Sequence, residues 1–209
     1  MSDTELNTVF DILGSARSVR KYEDRLIDRA VLTKIVQAGT FASNPRNTQP
    51  WKFIVVDNLA TKENLASFIE PRALEVEKVI PKLETEKQKR LYESAANLIR
   101  EFAKSPAIIF ICGIDTNYGK DFDSREMILS ATYAAAQNIL VAARASGLGA
   151  AFTTLHLHAK KEFESELGLP SDTHIEVTIP IGYPLRPFGP VSRKQIEDVM
   201  FWNKHKQDI

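Results

Sequence analysis

A mixed α+β fold is predicted by three features of the sequence. Apolar runs at 53–56 and 106–112 have the length and β-branched content of buried strands, and residues 174–181 alternate like a third. Stretches of helical period lie between and around them. Helices and strands do not alternate regularly, which argues against a parallel sheet built from βαβ units.

The first helix is expected where Leu6, Val9, Phe10 and Leu13 recur at helical spacing, opened by a Ser2 and Glu5 capping box and ended near Gly14. A second begins after Asp28, with Val31, Leu32, Ile35 and Val36 as its apolar stripe. The polar stretch 43–50 reads as loop, and the run from Trp51 to Asp57 as a central strand. Residues 61–104 are charged and mostly helical, an excursion over the core that Pro71 and Pro81 should break into pieces. Leu91, Leu98, Ile99 and Phe102 are its apolar positions. After the strand at 106–112 comes a long alanine-rich helix over 124–146, closed at Gly147, where a left-handed cap is easy. A short segment at 150–154, a helix near 160–167, the alternating strand and a terminal helix from about Ser192 complete the chain. No repeat or Gly/Ser-rich linker divides it, so residues 1–209 are expected to form one domain.

Composition narrows the functions. A hydrophobic content of 44% over 209 residues supports one sizeable core. Lys and Arg number 27, as do Asp and Glu, so the broad positive field of a nucleic-acid-binding protein is missing and any anion site must be a local cluster. The lone Cys112 can form neither an internal disulfide nor a Cys-rich zinc site and is expected to be packed in the core. His156 and His158 alternate while His174 and His205 lie elsewhere, so no helical pair for zinc exists and surface or strand positions are expected. No apolar stretch approaches the roughly 20 residues that span a bilayer, and no leader pattern opens the chain, which points to a cytoplasmic protein without a membrane partner.

Two segments could bind a ligand. Arg17, Ser18 and Arg20 offer two guanidinium groups and a hydroxyl, donors that phosphate oxygens accept. Alone they read first as a solvated basic turn, continued by Lys21 and Arg25 and balanced by Glu23 and Asp24. Residues 43–51 concentrate amides, hydroxyls and prolines before a buried strand, either to face a ligand at the sheet edge or as a polar turn anchored by Trp51. Ser15 and Ser18 lack the G-x-S-x-G setting of a hydrolase, and Gly147-x-Gly149 lacks the third glycine of a dinucleotide fingerprint. The charged run 84–90 reads as a solvated helix face.

Taken in order, Arg17-Ser18-x-Arg20, then Asn47-x-Gln49-Pro50-Trp51 before an apolar strand, resembles the nitroreductase family. The likeness continues through Gln137-Asn138, Gly147-Leu148-Gly149 with residues 150–155, and Ile181-Gly182-Tyr183-Pro184. It implies a three-layer α/β/α sandwich with a mainly antiparallel central sheet, in an intertwined homodimer with FMN at the subunit interface. Implied flavin contacts are Arg17, Ser18, Arg20, Ser43, Asn44, Pro45, Asn47, Gln137, Phe152, Thr153, Thr154 and Arg193, with the loop from Ser43 to Asn47 reaching over from the partner chain. Arg193 best matches the basic residue that the family places after Gly-Tyr-Pro to meet the flavin phosphate, with Lys194 second. Ala16 stands where many members have an arginine and Val191 where some have a lysine, which leaves the phosphate to Arg17 and Arg193.

The activity so implied is ping-pong hydride transfer from NADH or NADPH through FMN to a nitroaromatic or similarly electron-poor acceptor. The resemblance also implies that Arg20 acts electrostatically at the pyrimidine edge of the flavin and that no acid–base side chain is needed. Enone, quinone or halo-aromatic reduction on the same scaffold, or flavin binding without catalysis, are the alternatives. Phe41, Phe68, Tyr92, Phe102 and Phe122 are candidates for a pocket wall or for the core.

Overall fold

Four strands, β1 (Trp51–Val56), β2 (Ala107–Ile114), β3 (Gly149–Ala150) and β4 (Thr173–Gly182), form a sheet of order β1-β2-β4-β3 with every ladder antiparallel. The structure is a computed structural model that describes residues 9–205. β2 separates two cores because its side chains alternate. Ile109 and Ile111 join Val177, Ile179 and Ile181 of β4 on one face, while Ile108, Phe110 and Cys112 point to the other.

The first face is covered by α2 (Arg29–Thr40) and α5 (Ser124–Ala145), through Leu32, Ile35, Ala136, Ile139 and Ala143. Gly39 and the alanines of α5 let the two helices lie close, and Asn138 Nδ2 donates to Ala38 O at 3.2 Å between them. Asp28 caps α2 by accepting from Ala30 N–H, and Asp123 caps α5 by accepting from Arg125 and Glu126 N–H. The opposite face carries α3 (Leu59–Val79), α4 (Glu86–Arg100) and α6 (Lys160–Glu166), packed around Phe102, Phe110 and Phe163. The result is the expected three-layer sandwich. Cys112 is fully buried, and its thiol is pushed up to about 12, chiefly by burial. No helix among the described residues is long and apolar enough to cross a membrane.

Several expectations are corrected. β1 is an edge strand of this sheet, not a central one. Pro71 lies inside α3 without breaking it: Leu65, Ile69 and Ala73 are fully buried and hold both halves of the helix to the sheet, while the carbonyl of Ser67, which loses its N–H partner, lies on an exposed residue. Phe102 is core rather than pocket wall, and Phe68 packs against Phe163 at 6.1 Å. Leu91 is 54% exposed instead of apolar filling. β4 is buried on both faces. Its polar residues are there to pair, and the register skips Glu176 between Ile111 and Cys112, a bulge that turns this carboxylate to a bidentate bond with Arg125 of α5. His156 is neither surface nor strand: it is fully buried in a 3-10 turn, Leu155–His158, with Nδ1 2.9 Å from Thr178 Oγ1. The terminal helix from Ser192 is replaced by one 3-10 turn, Ile196–Asp198. Its apolar residues Ile196, Val199 and Trp202 remain exposed, and without a surface to bury them a short helix gains little. Helix α1 (Val9–Ser15) forms, while the expected capping box of Ser2 and Glu5, and Leu6, lie outside the described residues.

Candidate functional site

The Arg17–Arg20 segment is extended and laid against the sheet beside β3. Val19 N–H donates to Ala150 O at 3.0 Å, and Ser18 bridges Ala150 in parallel. Close approach depends on Gly149, where a Cβ would fall 2.6 Å from the Val19 side chain. Behind it the buried Tyr22 hydroxyl sits between Val19 O at 2.6 Å and Pro180 O at 2.9 Å, and its pKa is raised by burial. Ser18 and Arg20 flank Val19, which is pinned to the sheet on this segment.

There they border a cavity of about 730 Å³ together with Ala16, Arg17, Gln137 of α5, Leu148, Ala150 and, from the C-terminal segment, Phe188, Pro190 and Arg193. The volume is within the roughly 300–1,000 Å³ of small-molecule and cofactor sites. Five cations, Arg17, Arg20, Lys87, Arg144 and Arg193, line it with no carboxylate among the lining residues, alongside apolar Leu13, Leu140, Leu148 and Phe188. Such a wall suits a ligand with a planar apolar body and an anionic group. Arg20 is half-buried, and burial, aided by the like charge of Arg17, lowers its pKa. A guanidinium nevertheless stays protonated at neutral pH. It is therefore a fixed positive charge in a partly dry place.

Five of the residues singled out in the sequence thus meet at one cavity: Arg17, Ser18, Arg20, Gln137 and Arg193. Ser43, Asn44, Pro45 and Asn47 do not line it in the same chain. Their loop is instead stiffly built, with Arg46, Asn47 and Gln49 at φ of 54°, 51° and 49° without a glycine. Asn44 Oδ1 accepts from Gln49 N–H at 2.8 Å, Thr48 Oγ1 lies 2.6 Å from the Tyr118 hydroxyl, and Arg46 donates to Tyr118 O at 3.1 Å. Phe152, Thr153 and Thr154 also stand outside the lining. The Thr153 hydroxyl donates to Thr178 O at 2.9 Å and Phe152 meets Tyr133 edge-on at 5.5 Å. Arg144, Lys87 and Phe188 are additions that sequence reasoning missed. Arg144 follows a run of alanines like any helix-end cation, Lys87 belongs to the run taken as a solvated face, and Phe188 is one aromatic among prolines.

A three-layer sandwich with an antiparallel sheet and a cation-walled cavity at the Arg-Ser-x-Arg segment defines the class. The chain belongs to the nitroreductase family, whose profile matches residues 13–183. It is similar to YfhC of Bacillus subtilis, provisionally named an NAD(P)H nitroreductase, with 26% identity over 174 residues and 83% of each chain covered. It is also similar to iodotyrosine deiodinase 1 of Rattus norvegicus, with 26% identity over 199 residues, 91% of this chain and 68% of the relative. Oxidized iodotyrosine deiodinase bound to FMN and 3-iodo-L-tyrosine has the same fold, at a TM-score of 0.74, 20% identity and coverage of 95% of this chain and 100% of that one. So does the NADPH:FMN oxidoreductase of Vibrio harveyi complexed with NAD+, at 0.71 and 17%, with 96% and 79% covered.

Proposed function

We propose that this protein is an FMN-dependent NAD(P)H oxidoreductase of the cytoplasm that reduces nitroaromatic or similarly electron-poor acceptors. The observation that carries the reading is the meeting of Arg17, Ser18, Arg20, Gln137 and Arg193 around one 730 Å³ cavity. FMN fits its chemistry: a flat ring for the apolar wall and a phosphate for the cations. FMN, when bound, supplies the two-electron hydride chemistry that no side chain offers.

The residues hold and tune. Arg17, Ser18 and Arg193 take the phosphate by charge-assisted hydrogen bonds. Arg20 sets a positive charge at the pyrimidine edge of the ring, where it favours the electron-rich state without moving a proton. Leu140, Leu148 and Ala150 keep water from the ring's side of the cavity. Residues 1–209 act as one domain with 61–104 as its helical excursion, in a homodimer whose partner loop from Ser43 to Asn47 completes each site, with Phe152, Thr153 and Thr154 flanking the ring. That arrangement agrees with the stiff loop geometry and with Val9, Phe10 and Trp202 exposed at 66%, 83% and 81%.

A second reading, reductive dehalogenation of an aromatic, is favoured by the deiodinase relative, whose match spans 91% of this chain against 83% for YfhC. The visible spectrum of the purified protein before and after anaerobic NADH or NADPH tests the first. Bleaching of a bound flavin is expected, followed by reoxidation by nitroarenes; reoxidation by iodophenols instead selects the second reading. A colourless protein that takes up no FMN defeats both.

A further inference from the structure

The cavity is roofed by residues 184–193, which run as a strap fastened at three places. Leu185 N–H donates to Lys21 O at 3.3 Å near one end, and Val191 N–H donates to Gly14 O at 2.9 Å near the other. Between them the Phe188 ring lies 3.8 Å below the Arg144 guanidinium carbon. Arg144 projects from the last turn of α5 and is only 6% exposed. Its Nε donates to Ser15 Oγ at 3.0 Å, and the Ser15 hydroxyl passes its own hydrogen to Asp11 O at 2.6 Å.

One side chain therefore joins α5, the end of α1 and the strap. A planar guanidinium can donate in its plane while stacking an aromatic ring on its face, which neither a lysine nor an apolar side chain does. The strap continues directly to Arg193, and Gly189 sits where a Cβ would come within 3.3 Å of Arg17 Nη1. Where the strap lies thus sets the spacing between the two cations of the anionic end. Arg20 is fixed separately, by the backbone pairing of Val19 and Glu23 on either side of it.

We propose that Arg144 is a positioning residue for the phosphate end of the cavity: by clamping Phe188 against α1 and α5 it closes the strap and presents Arg193 opposite Arg17. The proposal rests on the flavin reading above. It separates the two ends of the ligand, because FMN carries the phosphate and riboflavin lacks it.

The test is equilibrium binding of FMN and of riboflavin to apoprotein, followed by flavin fluorescence, for the wild type, Arg144→Met, Phe188→Leu and the double variant, with thermal melts to verify folding. Each single variant should weaken FMN about tenfold, the scale of a partly desolvated cation–π contact, and weaken riboflavin, which lacks the phosphate, distinctly less. The double variant should be no worse than either single one, since both remove the same clamp. Parallel loss of FMN and riboflavin, unchanged FMN affinity, or additive losses would overturn the assignment. A wild type that binds neither flavin would remove the flavin reading itself, whereas a binding wild type with unshifted variants removes only the role of Arg144. Phe188→Leu leaves the arginine in place, so it answers even where Arg144→Met fails to fold.

Discussion

Arg17 and Arg20 are three positions apart, yet they stand differently in the cavity. Arg17 stands under the strap near Gly189, whereas Arg20 is half-buried further along the segment. A charge-assisted hydrogen bond contributes about 1.5–3 kcal/mol, so Arg17→Ala should raise the FMN dissociation constant about 10- to 100-fold, as read by flavin fluorescence. Arg20→Ala should instead leave FMN bound and lower its two-electron midpoint potential by about 30–60 mV, the same energy expressed in volts. An unchanged potential in a variant that still binds FMN stoichiometrically would remove Arg20 from the redox end. His156 makes a third residue-scale prediction. Burial, ahead of the nearby Lys160 charge, lowers its pKa to about 4, against about 6.5 in an unfolded chain. Its neutral form is thus favoured in the fold: this contribution is complete above pH 6.5 and is lost as the pH falls toward 4, by up to about 3 kcal/mol. The carboxylates of Asp57, Glu77 and Glu86, held below their ordinary values by Arg29, Arg100 and Lys89, act at lower pH. Chemical denaturation of His156→Gln, which retains only the weaker contribution of His158, should show a flatter slope between pH 6.5 and 4.5 than that of the wild type.

At the scale of elements, the bulge in β4 ties the sheet to the start of α5. Glu176 is 4% exposed and faces Arg125, while Gly113 opposite leaves room that a Cβ would close at 2.4 Å from Ile128. Removing the arginine strands a buried carboxylate, for which about 3 kcal/mol is expected, or roughly 6–12 °C of melting temperature in a chain of this size. Arg125→Ala should therefore melt far earlier than Arg125→Ala/Glu176→Gln, and equal melting points would show that the pair is not coupled. The long helices were readable because their stripes and caps are local: Asp28 and Gly147 mark ends that the structure keeps. Pro71 and the stretch after Ser192 were misread for opposite reasons. Packing of Leu65, Ile69 and Ala73 overrides a local breaker, and lack of packing leaves a locally plausible helix unformed.

For the whole molecule, the exposed apolar residues of α1 and of the C-terminal segment, with the edge of β1 that no other described strand pairs, describe a surface suited to a second copy. In the proposed homodimer the site is shared, so light scattering should give twice the 23.5 kDa chain mass, and FMN occupancy should fall on dilution below the dimer dissociation constant. Monomeric protein with full FMN occupancy would overturn the shared site.

The sequence by itself determined the fold class, the strands at 53–56, 106–112 and 174–181 and Arg17, Ser18 and Arg20 of the cavity wall, because periodicity, caps and the Arg-Ser-x-Arg segment are written in neighbouring residues, while Gln137 and Arg193 were named through the resemblance to the nitroreductase family. The tertiary structure alone decided that Glu176 and His156 are buried, that Lys87 turns to the cavity, and that Arg144 meets Ser15 and Phe188. Those contacts join residues far apart in the chain, and long-range packing and desolvation leave no periodic trace in the local sequence.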